Sequence, residues 1–188
     1  MAKEIRNTEV KVGLIGAASV GKTCIVIRMV EDRFEDKALF TPQFSYHKLK
    51  DKTFNGQKFD ITFIDTAGTE KYRSMNWAGL QDAQLLLYVY DVTNPTSHEE
   101  IASFLTDAEK QRIDPNIPKI LIGNKSDLGI HSELVDNNTY EGRFIKTILF
   151  SAKQGNGREN IIKDILQYSA QSQNTSQEPL RNKNGGCC

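Results

Sequence analysis

The sequence predicts an α/β protein, a doubly wound and mostly parallel six-stranded sheet with one antiparallel hairpin strand and helices on both faces. Three observations carry this. An apolar run from Val10 to Ile15 ends in a glycine-rich loop that opens into a stretch able to form a helix. Further apolar runs then alternate with segments in helical spacing, the pattern of parallel strands joined by crossover helices. Polar motifs fall just after those runs, where open α/β sheets place their ligands.

Taken in order, Val10, Val12, Leu14 and Ile15 suit a buried strand, and Cys24, Ile25, Ile27, Met29 and Val30 a helix. A charged loop with one aromatic, Phe34, follows, and Thr41-Pro42 interrupts the chain because proline restricts itself and its predecessor. Residues 44–54 and 58–64 read as strands joined by Asn55-Gly56, a hairpin turn. Leu85 to Tyr90 is apolar without alternation, as in a strand buried on both faces. Thr96 and Ser97, with Glu99 and Glu100 behind them, read as a helix start, and Ile101, Phe104, Leu105 and Ala108 keep one helical face. Strands are expected at 117–122 and 144–150, and a last amphipathic helix around Ile161, Ile162, Ile165 and Leu166. From Gln171 the composition turns to Gln, Asn, Ser, Thr and Gly, which predicts one domain over 1–170 and a flexible tail over 171–188.

The chain has 188 residues, with Lys+Arg and Asp+Glu at 24 each, so a broad basic surface for nucleic acid is not expected. The charged N-terminus lacks the apolar core of a signal peptide, and no apolar run approaches the ~20 residues that span a bilayer. A cytosolic origin is expected. Cys24 reads as a small apolar side chain, and no Cys/His spacing points to a metal cage.

The chemistry starts at Gly16-Ala17-Ala18-Ser19-Val20-Gly21-Lys22-Thr23, which fits G-x-x-x-x-G-K-[ST] between a strand and a helix. Glycines let backbone approach a phosphate, and the loop amides and helix N-terminus face the anion. Lys22 would reach the β- and γ-phosphates, and the Thr23 hydroxyl would take one place on Mg²⁺. Behind it, Asp65-Thr66-Ala67-Gly68 offers a carboxylate for a Mg²⁺ water and a glycine whose N–H can approach the γ-phosphate. Asn124-Lys125-Ser126-Asp127 points to guanine. A carboxylate accepts from the paired N1 and N2 donors of that base, and adenine lacks the N2 amine. Lys125 can lay its stem on the base, and Ser151-Ala152-Lys153 can present a backbone N–H to O6.

The ordered set of GxxxxGKT, Thr41, DTAG, NKSD and SAK resembles the Ras superfamily of small GTPases, which are P-loop NTPases, over about residues 9–170. Tyr90-Asp91-Val92-Thr93, Lys71-Tyr72-Arg73-Ser74 and the ending Gly185-Gly186-Cys187-Cys188 are similar to the Rab branch. The resemblance implies a GTP/GDP switch with Mg²⁺, slow GTP hydrolysis and a role in vesicle traffic. Its implied nucleotide contacts are Ala18, Ser19, Val20, Gly21, Lys22, Thr23, Cys24, Phe34 (stacked on the base), Thr41, Asp65, Gly68, Asn124, Lys125, Asp127, Ser151, Ala152 and Lys153. Mg²⁺ would be held by Thr23, Thr41 and, through water, Asp65, and catalysis would involve Lys22, Thr41, Gly68 and Thr69. Residues 34–46 and 65–80 would be the two switches. Implied partners are an exchange factor, an activating protein, a prenyl-binding chaperone or dissociation inhibitor, and effectors, with the chain itself a monomer. Geranylgeranyl groups on Cys187 and Cys188 would anchor it to the cytoplasmic face of an endomembrane.

Several positions depart from that family. The glutamine after DTAG is Thr69, which lacks the amide that orients water, so slow intrinsic hydrolysis is expected. Pro42-Gln43 replaces Ile-Gly, Ile64 a tryptophan, and Gly79-Leu80 a tyrosine pair, leaving Tyr46 and Tyr72 as aromatic candidates for effectors. Trp77 suits a core anchor and an interface equally. Two other readings remain: a nucleotide-dependent scaffold with negligible turnover, and a P-loop kinase or ATPase. Asp127 and the lack of an arginine-rich lid speak against the latter.

Overall fold

The computed structural model describes residues 7–36, 44–68, 73–131 and 137–175. Thr41, Pro42, Gln43, Thr69, Lys71, Tyr72, Cys187 and Cys188 lie outside the described residues. The elements run β1 (Thr8–Ile15), α1 (Lys22–Glu31), β2 (Phe44–Phe54), β3 (Gln57–Thr66), α2 (Arg73–Leu80), β4 (Leu85–Asp91), α3 (Pro95–Lys110), β5 (Lys119–Asn124), β6 (Lys146–Leu149) and α4 (Arg158–Thr175). They form the expected six-stranded sheet, in the order β2-β3-β1-β4-β5-β6. Among the described strands, only the β2–β3 pair is antiparallel.

Alternation along the strands divides the core in two. Leu85, Leu87 and Val89 of β4 join Val12, Ile25, Met29, Ile61, Ile161 and Ile165 in one cluster. Leu86, Tyr88 and Tyr90 join Ile64, Trp77, Leu80, Ile101 and Phe104 in the other. All of β4 is buried, as its unbroken apolar run predicts. Trp77 is 3% exposed, so its role in this structure is to anchor α2 against the sheet. Tyr46, by contrast, is 57% exposed on the edge strand β2.

Boundaries differ from the sequence reading for local reasons. Helix α3 starts at Pro95 with Asn94 as its cap, the side chain accepting from Thr96 N at 3.1 Å. Proline has no N–H to satisfy in a first turn, so the cap falls on the residue before it. Ser97, one turn inside, has its hydroxyl accept from Asp91 N at 3.0 Å and donate to Asn94 O at 2.7 Å. Strand β5 begins only after Pro118, which cannot donate to a ladder. Helix α4 continues through Gln171 to Thr175, past the point where the composition turns polar, since Gln and Ala are good helix formers. Among the described residues no helix is long and apolar enough to cross a membrane.

Candidate nucleotide site

The loop between β1 and α1 closes around its own lysine. Lys22 is 5% exposed, and its Nζ donates to Gly16 O and Ala17 O at 2.8 Å each. Burial pushes its ammonium down to about 8, against the pull of the Asp65 carboxylate. Such a lysine is held ready for an anion, which would stabilise the charge that burial disfavours. At the end of β3, Asp65 is fully buried and accepts from the Thr23 hydroxyl at 2.7 Å. Gly68 lies so close to the loop that a Cβ there would come within 2.5 Å of Ala17 O and Ala18 N. The strand carrying Asp65 therefore ends directly against the phosphate loop.

Asn124 ties the base-side motifs to that loop. Its Nδ2 donates to Val20 O at 2.9 Å, and its Oδ1 accepts from Ala152 N at 3.1 Å. Gly21, at φ +95°, makes room for it, because a Cβ would sit 2.3 Å from Asn124 Nδ2. Asp127 accepts from Ser151 Oγ at 2.5 Å through one oxygen, Oδ1. The Ser151-Ala152-Lys153 turn is thus fixed from two sides, and the amide of Ala152 is committed to Asn124.

These residues enclose a cavity of about 610 Å³, within the range of small-ligand sites. Of the residues the sequence singled out, Ala18, Ser19, Gly21, Lys22, Thr23, Cys24, Phe34, Gly68, Asn124, Lys125, Asp127, Ala152 and Lys153 line it. Val20, Asp65 and Ser151 are buried in the wall behind. Thr41 and Thr69 fall outside the described residues. The Cys24 thiol is half-buried, donates to Glu35 O at 3.7 Å, and is pushed up by burial, so it behaves as packing rather than as a nucleophile.

One residue of the site was not legible as such. Lys125 Nζ pairs with Asp91 Oδ2 at 2.6 Å, and Asp91 also accepts from Thr93 N and Oγ1 at 2.9 and 2.7 Å. Burial pushes the Asp91 carboxyl up, but the hydrogen bonds from Lys125 and Thr93 outweigh it and leave it below its ordinary value. Asp91 thereby fixes the direction of the Lys125 side chain. The signal available was its place at the C-terminal end of β4, in register with Asn124 of β5.

The sequence profile of the Ras family matches residues 11–171. This chain belongs to the Ras family. Ras-related protein RABE1d of Arabidopsis thaliana is 31% identical over 181 residues, which span 90% of this chain and 81% of that protein. Ras-related protein Rab-1A of Dictyostelium discoideum is 32% identical over 129 residues, 69% of this chain and 62% of the relative. GTP-binding protein ypt2 of Schizosaccharomyces pombe is 34% identical over 118 residues, 63% of this chain and 58% of the relative. The chain is a small GTPase of the Rab branch, an enzyme that hydrolyses GTP to GDP and phosphate with Mg²⁺ as cofactor.

The donor set fits that cation. Thr23 and Asp65 bring a hydroxyl and a carboxylate together at 2.7 Å, hard oxygen ligands of the kind Mg²⁺ prefers. Among the described residues no cluster of His, Cys, Asp and Glu forms an all-protein cage. A cation here would complete its shell from phosphate and water oxygens. When bound, Mg²⁺ neutralises charge on the β- and γ-phosphates.

Proposed function

We propose that this small GTPase is a membrane-recruited switch of vesicle traffic, whose bound nucleotide is read by effectors. The single observation that carries the nucleotide-switch part is the continuous cavity from Lys22 to Asp127, with Asn124 bridging its two halves, and the role in traffic rests on membership of the Rab branch. Phosphates would lie on the loop amides of residues 18–24, with Lys22 at the β- and γ-oxygens and Gly68 at the γ-end. Thr23 would bind Mg²⁺ directly and Asp65 through water. The base would lie between Phe34 and the Lys125 stem, with Asp127 on its N1 and N2 edge and the Ser151–Lys153 turn at O6. Thr41 would join the Mg²⁺ shell in the GTP state alone. Release of Thr41 and Gly68 on hydrolysis would then loosen both switches, and effectors would lose their surface. Exchange factor, activating protein, dissociation inhibitor and effectors are the partner classes of the Rab branch, and the particular ones here would have to accept Pro42 and Gln43 in the first switch segment.

Thr69 supports slow intrinsic turnover, because its side chain is shorter than glutamine and lacks the amide, whose separate oxygen and N–H groups can orient the attacking water. In a single-turnover assay, Thr69→Gln should hydrolyse GTP about 10- to 100-fold faster than the wild type, the scale of one hydrogen bond to a charged group. Equal rates would remove Thr69 from the account. The same residue favours a second reading, a guanine-nucleotide-dependent scaffold with negligible turnover. The nucleotide that co-purifies with the protein separates the two, GDP for the first and GTP for the second.

Cys187 and Cys188, after Gly185-Gly186, are the proposed lipidation sites. Only Glu178, Arg181 and Lys183 are charged from Gln171 onward, so attraction to acidic lipid adds little, and two chains would supply the anchoring. Replacing both cysteines by serine should move the protein from the membrane to the soluble fraction of cells. An unchanged distribution would count against prenylation.

A further inference from the structure

Behind the cavity wall, the guanidinium of Arg28 in α1 holds two separate parts of the site. Its side chain is 11% exposed. Nε donates to Ala152 O and Nη2 to Lys153 O, both at 2.9 Å. Nη1 donates to Asp32 O at 2.7 Å and to Asp32 Oδ1 at 3.2 Å, two residues before Phe34. Arg158 of α4 braces the same corner through Arg28 O at 2.8 Å and through Met29 O. Gly155, at φ +75°, leaves space for the guanidinium, since a Cβ there would lie 3.0 Å from Arg28 Cδ and Nε.

The consequence follows from the planarity of the peptide. In a trans peptide the C=O and the next N–H point in opposite directions. With Ala152 O drawn back to Arg28, the N–H of Lys153 is turned away from Arg28, and both Ala152 and Lys153 line the cavity. Ala152 N is already committed to Asn124 Oδ1. The Lys153 N–H is therefore the donor that Arg28 orients for a base.

We propose that Arg28 is a positioning residue for base recognition: it aims the Lys153 N–H at O6 of guanine and steadies the segment that carries Phe34. The proposal rests on the guanine-nucleotide reading of the cavity. Guanine and hypoxanthine both present an acceptor at position 6, whereas adenine presents an amine there. Arg28 should thus contribute to the choice of GDP over ADP and leave the choice of GDP over IDP untouched, whereas Asp127 bears on both.

The test is competition of GDP, IDP and ADP against a fluorescent guanine nucleotide on the full chain, together with the GDP dissociation rate. For Arg28→Met, dissociation should quicken about tenfold and the GDP-over-ADP preference should fall about tenfold, the scale of one hydrogen bond. The GDP-over-IDP preference should stay at the wild-type value. Arg28→Lys, a point charge that cannot fork to both carbonyls, should fall between the two, and it decides the matter by the same ratios if Arg28→Met does not fold. An unchanged GDP-over-ADP ratio overturns the proposal, as does a parallel fall in both ratios, which would mean general loosening. A wild type that does not prefer GDP over ADP would instead overturn the guanine reading beneath it.

Discussion

Asp127→Asn is expected to invert the choice of base. Affinity for GDP should fall about 10²- to 10³-fold, and xanthosine diphosphate should become the preferred ligand. The structure says which atom of the new amide would meet the base. Ser151 Oγ donates to Asp127 Oδ1 at 2.5 Å, so an asparagine retains that bond only by placing its oxygen there. Its Nδ2 then faces the cavity as a donor. Against guanine, N1–H can still donate to the asparagine oxygen, but the N2 amine would confront that donor. Xanthine carries a carbonyl at position 2 and restores the pairing. Because the Ser151 bond survives, the fold should be little affected, and thermal melting of the nucleotide-loaded variants would check this. Competition between GDP and xanthosine diphosphate for the bound fluorescent nucleotide reads the inversion. Wild-type GDP affinity in Asp127→Asn would place the base somewhere else in the cavity.

How far the site could be read from sequence depended on how local its physics is. The phosphate loop was legible because glycine, lysine and threonine at fixed offsets between a strand and a helix are what a phosphate requires, and Lys22, Thr23 and Gly68 line one cavity. The doubly wound sheet was legible because β4, buried on both faces, shows as an unbroken apolar run. Asp91 and Arg28 were not legible. Each acts on a residue distant in sequence, Asp91 on Lys125 and Arg28 on Ala152 and Lys153, and nothing in the local pattern marks an aspartate or an arginine as reserved for such a partner. Asn124 was assigned to the nucleotide from its motif, yet in this structure both ends of its amide are engaged by protein, at Val20 and Ala152. Trp77 needed the fold as well, because a tryptophan in a polar stretch reads alike as anchor or interface until its neighbours are known.

Lys22→Met should reduce nucleotide affinity on the order of 10²- to 10³-fold, the scale for removing one partner of a buried charge pair. With its ammonium 5% exposed and pushed down to about 8 by burial, the folded protein keeps a charge that costs it stability until an anion arrives. Two carbonyls of the loop, Gly16 O and Ala17 O, hold that charge in place at 2.8 Å, so no reorganisation is needed when phosphate binds. Methionine fills similar volume without the charge, and the protein free of nucleotide should therefore lose less stability than the complex. Thermal melting with and without added GDP and Mg²⁺ separates the two effects, since a ligand that binds the folded state stabilises it by an amount that grows with the logarithm of its concentration over Kd. The wild type should melt markedly higher with nucleotide, whereas Lys22→Met should show a much smaller rise. An equal rise in both would mean that Lys22 is a structural lysine, and that the loop amides alone hold the phosphates.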